Sequence, residues 1–171
     1  MCNSCTRRTS GAGAAGRGVT VDSDAVETRA QGWRTLAALH ARIEDVLERA
    51  LQQGHDLSVS EYSLLDVLSR QAPRQLLRMN QVAKAVVLSQ SATTRLVTRL
   101  ERRGLLERSL CEDDRRGIYT EVTDAGCAAL ERARSTHDEA LARALKEAAE
   151  LPELAPLVDA LAALPYAGAS R

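Results

Sequence analysis

Few residues in this sequence are of a type that does covalent chemistry, and their spacing argues against it. The cysteines are Cys2, Cys5, Cys111 and Cys127. Cys2 and Cys5 form a C-x-x-C. It lacks the second pair that a zinc site needs and the strand and helix that follow a redox-active pair. His40, His55 and His137 stand at no metal-ligand spacing. No nucleophile–base motif, phosphate-binding glycine loop or paired-carboxylate site is evident. The expectation is a chain with no catalytic activity, no cofactor and no metal.

The usable chemistry lies in hydroxyls and guanidinium groups. Residues 70–116 hold eleven basic side chains against five acidic ones, a local charge of +6 in a chain of zero net charge. Ten of the eleven are arginine, which favours planar, bidentate contacts. Such a segment between acidic flanks suits phosphates, although a solvated charged face would have the same composition. The sharper signal runs from Ser89 to Arg103. At about 100° per residue, Ala92, Thr93, Leu96, Val97 and Leu100 share one side of a helix. Ser91, Thr94, Arg95 and Thr98 share the other. Ser89 and Gln90 stand at its start, and Arg99 follows. No acid occurs between Ser89 and Leu100, whereas a solvated helix usually mixes signs. These groups can reach base edges and phosphates in the major groove of double-stranded DNA, and a helix N-terminus favours an anion.

The surrounding elements must present that face. The chain has no Phe, one Trp and three Tyr, so its core must be Leu, Ala and Val, which favours close-packed helices. Trp33, Leu36, His40, Ile43, Leu47 and Leu51 recur at helical steps from about Ala25, and Gly54 is a natural stop. Ser58-Val59-Ser60-Glu61 is a capping-box signature before a short apolar helix that Pro73 ends. A third helix runs from Met79 to about Val86, and Ser89 caps the fourth. After Gly104 the period becomes two. Leu105–Leu110 and Ile118–Val122 read as a hairpin whose tip holds Cys111, Asp114, Arg115 and Arg116. Thr123-Asp124 opens a long helix to about Glu150 with Leu130, Ala133, His137, Leu141, Ala144 and Ala148 in one stripe. At roughly 40 Å it outreaches a small domain's core. Pro152 interrupts it, and a last short helix carries Leu154 to Leu164. The fold class is mainly α with a small β-hairpin wing, a winged helix-turn-helix.

Four stretches resemble the multiple-antibiotic-resistance regulator (MarR) family. They are LSVSEYSLL at 57–65, SATTRLVTRLERRGLLER at 91–108, DDRRG at 113–117 and VTDAG at 122–126. The similarity extends over about residues 30–164. It implies a transcriptional regulator that forms a homodimer through its N- and C-terminal helices. It implies that the helix from Ser89 to Arg103 reads DNA, and that Arg116 enters the minor groove steadied by Asp114. The DNA-binding candidates are thus Ser89, Gln90, Ser91, Thr94, Arg95, Thr98, Arg99, Asp114, Arg115 and Arg116. A small phenolic or aromatic effector between the dimerisation helices and the DNA-binding lobe is also implied. Trp33, His40 and Tyr62 are candidates to line that site, with plain core packing as the alternative for each. Two departures narrow the resemblance. The first helix lacks the reactive cysteine of a peroxide-sensing branch, and Ser63 stands where a urate-responsive branch carries an acid.

The expected organisation is a disordered tail at 1–24 and a dimerisation helix at 25–56. The DNA-binding lobe follows at 57–122, further dimerisation helices at 123–165 and a loose tail at 166–171. No apolar run approaches the roughly 20 residues that span a bilayer, and the N-terminus has no signal-peptide pattern. The expected setting is cytoplasmic and reducing, with no membrane partner. The reading is a repressor released from a pseudo-palindromic operator by its effector. Two alternatives stay open: a redox-responsive regulator using Cys111, and a winged-helix protein-interaction module that binds no DNA.

Overall fold

The computed structural model describes residues 23–71, 77, 79–110 and 118–164. Six helices and one hairpin follow in the order α1 (Ser23–His55), α2 (Val59–Ser69), α3 (Met79–Ala85), α4 (Gln90–Arg102), β1 (Leu106–Leu110), β2 (Ile118–Val122), α5 (Asp124–Ala149) and α6 (Ala155–Ala162). The strands pair antiparallel, with Leu106 opposite Val122 and Leu110 opposite Ile118. The residues expected at the hairpin tip, Cys111, Asp114, Arg115 and Arg116, lie outside the described residues. So do Cys2, Cys5 and Pro73.

Each boundary has a local cause. Ser58 caps α2 by accepting from the Glu61 N–H at 3.1 Å, and Glu61 accepts in return from the Ser58 N–H at 2.8 Å, a complete capping box. The Val59 N–H is taken by Glu48 of α1 at 2.7 Å. Two acids on different helices therefore satisfy the start of α2. Thr123 caps α5 through the Gly126 N–H at 3.1 Å and donates its hydroxyl to the Gly104 carbonyl at 2.7 Å. That pair of bonds pins the start of α5 to the turn that ends α4.

Two cores result. The larger gathers Leu51, Leu57, Tyr62, Leu64, Leu65, Leu68, Val82, Leu96, Val97, Leu100, Leu105, Leu106, Leu130 and Ala133. It joins the three-helix unit and hairpin to the adjoining halves of α1 and α5. The smaller joins Leu39, Ala148 and Leu154 at the far end. Here the structure departs from the periodic reading of α1. The row facing α5 and α6 is Leu39, Ile43, Leu47 and Leu51, and Leu39 was not on the stripe read from the sequence. Trp33 and Leu36 are exposed, and so is His40, which pairs with Glu44 at 3.4 Å. The early part of the stripe is turned away from the helix's own partners.

Gly126 is required by a close approach. A Cβ there would lie 2.1 Å from the Leu105 carbonyl oxygen and 2.7 Å from a Val122 methyl. The first contact is with backbone, so α5 or the hairpin base must shift. Gly126→Ala should therefore cost about 2 kcal/mol or more. For a chain of this size that is a drop of about 4–8 °C in thermal midpoint. An unchanged midpoint by circular dichroism would contradict the packing described.

Candidate nucleic-acid interface

The outer side of α4 is the surface to build from its residues. Ser89 caps the helix by accepting from the Ala92 N–H at 3.2 Å, and its hydroxyl meets that of Ser91, also at 3.2 Å. Thr93, Leu96, Val97 and Leu100 are buried on the inner side. Ser91, Thr94 and Arg95 are exposed on the outer side, with Ser89 and Gln90. The Thr94 hydroxyl donates to the Gln90 carbonyl at 2.9 Å, so toward solvent it remains an acceptor. Arg95 makes no ion pair among the described residues. The described part of this face is without acid and open.

Two further candidates have side-chain partners on other elements of the fold. Thr98 is half-buried and accepts from Arg108 of β1 at 3.1 Å. The same guanidinium meets Glu101 at 2.8 Å, tying the hairpin to α4. Arg99 donates its Nε to Glu61 at 2.8 Å while its side chain stays 58% exposed, so part of it still faces outward. Arg103 reaches the same Glu61 oxygen at 3.2 Å and the Asp56 carbonyl at 2.7 Å.

Glu61 thus does two things at once. One oxygen closes the capping box of α2 and the other receives two arginines of α4, with the side chain only 3% exposed. The sequence signature revealed the first role alone. Nothing in the spacing of residues 61, 99 and 103 announces the second.

Tyr62, the next residue, is buried and stacks on His137 of α5, with ring centroids 4.2 Å apart and planes 13° from parallel. Asp66, one turn on, meets Arg134 of α5 at 3.5 Å and Arg70 at 3.0 Å. Burial raises the Tyr62 phenol above its ordinary value of 10.0, and the Asp66 carboxylate adds to the shift. Trp33 and His40 are not brought to this stack. A cavity between α1 and α5, about 550 Å³, is lined instead by Val46, Arg49, Ala50, Gln53, Thr136, Arg143 and Glu147.

Three helices, a tight turn into the helix with the open polar face, and a two-stranded hairpin behind it make a winged helix-turn-helix. The comparisons agree. A family model described as "MarR family" matches residues 55–117. A MarR family transcriptional regulator from Streptomyces coelicolor, Sco3205, solved in complex with DNA, is 30% identical. The match covers 84% of this chain and 88% of that one with a TM-score of 0.63. AbsC, a second MarR family regulator of that organism, is 28% identical over 85% and 93% with the same TM-score. The HTH-type transcriptional regulator PecS of Dickeya dadantii (strain 3937) is 30% identical over 102 residues. The chain belongs to the MarR family of transcriptional regulators. It spans 61% of the length of PecS.

Two measurements check this geometry. Glu61→Gln keeps an acceptor for the cap but removes the charge that Arg99 and Arg103 share. It should lower unfolding free energy by about 2 kcal/mol in urea titration, less than for a fully buried pair because Arg99 reaches water. No change would mean that the ion pairs do not hold α4. The Tyr62 phenol sets a pH dependence. Its raised pKa means that the unfolded chain releases the proton first, so stability is intact below about pH 10 and falls as pH rises above it. Thermal midpoints between pH 9 and 11.5 should fall less steeply for Tyr62→Phe than for the wild type; parallel curves would place the phenol in water.

Proposed function

We propose that this chain is a sequence-specific DNA-binding transcriptional regulator, a repressor that a small-molecule effector releases from a pseudo-palindromic operator. The observation that carries this reading is the open, acid-free outer face of α4, held from behind by Glu61 and the leucine core. Ser89, Gln90, Ser91, Thr94 and Arg95 would face base edges and phosphates, with Thr98 and the free side of Arg99 further along. Asp114, Arg115 and Arg116 would act at the wing, with Arg116 in the minor groove, whose negative potential attracts arginine. On this reading the chain acts by binding, in the cytoplasm, and not as an enzyme. Among the described residues, no helix is long and apolar enough to cross a membrane.

A homodimer would present two such helices to major grooves about one helical turn apart. Its support is the apolar surface left open on the outer elements: Val26, Trp33 and Leu36 of α1, with Leu161 on α6 and Leu164 beyond it, are exposed in the single chain. This fits a division into a DNA-binding lobe at 57–122 and dimerisation helices on either side. The effector, a small aromatic or phenolic molecule, would bind near Tyr62, where α2 meets α5. Trp33 and His40 could contribute to that site only if the partner protomer brings them near. Such a ligand shifts the balance only by preferring a dimer whose two lobes no longer fit the grooves.

The experiment is selection of bound duplexes from a random pool, followed by binding of the selected sequence across a range of salt. Affinity should fall steeply as salt rises. Arg95→Ala and Arg116→Ala should each cost about 1–3 kcal/mol, roughly 5- to 150-fold in Kd. A chain that enriches no sequence would favour a protein-interaction module instead, and variants that bind the selected duplex like the wild type would overturn the assignment of α4 and the wing.

A further inference from the structure

Among the described residues, three helix ends place a residue in the left-handed region: Asp56 after α1 (φ 52°), Val87 after α3 (φ 55°) and Gly104 after α4 (φ 70°). Glycine has no Cβ to clash there and aspartate is among the residues that tolerate it. A β-branched residue in that region is an outlier. The last two ends are built alike. After α4, the Leu105 N–H donates to the Leu100 carbonyl and the Gly104 N–H to the Glu101 carbonyl, both at 2.9 Å. After α3, the Leu88 N–H donates to the Ala83 carbonyl at 3.0 Å and the Val87 N–H to the Lys84 carbonyl at 3.3 Å. Both are Schellman turns, whose left-handed position normally goes to glycine. The same turn is made twice, once with the residue that fits it and once with one that strains it.

Nothing among the described residues explains the valine. Its side chain is 89% exposed. The turn is anchored without it, because Val86 and Leu88 on either side pack against the main core. Its position is specific, however. Val87 stands two residues before Ser89, at the end of α4 that carries Gln90, Ser91, Thr94 and Arg95. Those side chains offer hydrogen bonds and charge, and Val87 adds a branched, wholly apolar group beside them. The apolar group that a major groove displays is the C5-methyl of thymine.

We propose that Val87 is a specificity-determining residue whose isopropyl group packs on a thymine C5-methyl beside the N-terminal end of α4, once in each half-site. The proposal rests on the DNA-binding reading above. It explains why a strained, solvent-facing valine occupies a position where glycine would serve the fold better.

The test uses the whole chain and a duplex that it selects from a randomised pool. Each thymine is replaced in turn by deoxyuridine, which lacks only the C5-methyl. At one thymine per half-site the wild type should lose about fourfold in affinity, the factor that burying one methyl-sized group carries. Val87→Gly should bind the unmodified duplex more weakly by a similar factor and be indifferent to that replacement. Its thermal midpoint should equal or exceed that of the wild type, which separates a lost contact from lost folding. Val87→Thr keeps the branch and the backbone strain but exchanges a methyl for a hydroxyl. It should also lose affinity, and it carries the comparison if the glycine variant proves less stable. The proposal is overturned if both variants keep the wild-type affinity and thymine profile. It is equally overturned if their losses are the same at every thymine replacement, since that would place the side chain against the sugar–phosphate backbone. Failure of the wild type to select any duplex would overturn the DNA-binding reading too, and would be seen before any variant is made.

Discussion

The arrangement of this molecule depends on a nearly buried carboxylate that joins the start of α2 to the end of α4. Glu61 accepts from the backbone at the start of α2 and from Arg99 and Arg103 in the last turns of α4, while Arg103 also holds the Asp56 carbonyl just beyond α1. A carboxylate out of water is costly unless its lone pairs are filled. Here a backbone N–H and two guanidinium groups fill them. By drawing both arginines to one oxygen, the charge ties the end of α4 to the start of α2. Leucine burial supplies most of the favourable free energy, but it is not directional. The apolar period of α4 decides which side faces out, and the ion pairs and caps hold its ends.

That division of labour extends to the rest of the chain. Arg108 links β1 to Thr98 and Glu101 of α4, and Thr123 links α5 to the Gly104 turn. The outer face of α4 is left with side chains that have little to do inside the protein. The same holds for the N-terminal half of α1, where Trp33 and Leu36 are exposed among the described residues. A surface that is apolar and open on the long helices, and polar and acid-free on the short one, is what a twofold DNA-binding assembly would use at its two kinds of interface.

Much of this was legible in the sequence, for definite reasons. The two faces of α4 follow from its period, and Leu96, Val97 and Leu100 are buried opposite Ser91, Thr94 and Arg95 as the spacing requires. Ser58, Ser89 and Thr123 cap the helices they were expected to cap, since capping is decided within four residues. Other features depended on contacts between distant segments. The pairing of Glu61 with Arg99 and Arg103 has no local signature. On α1, period alone could not separate the row that meets α5 from the row that does not, so Leu39 was missed while Trp33 and His40 were placed on the packed stripe. Tyr62 was expected near a ligand or in the core, and its stacking on His137 joins two residues that the sequence gives no reason to pair. The left-handed Val87 was equally hidden, because a valine before Leu88-Ser89 looks like the end of an apolar helix.

The most direct test of the central claim is photo-crosslinking from within the complex. A photoreactive side chain at position 94, on the outer face of α4, is compared with one at position 128, on the exposed side of α5, each bound to the selected duplex. The account predicts crosslinks from position 94 to bases in both half-sites and none from position 128. Crosslinks from position 128 with none from position 94 would mean that α4 does not lie in the groove.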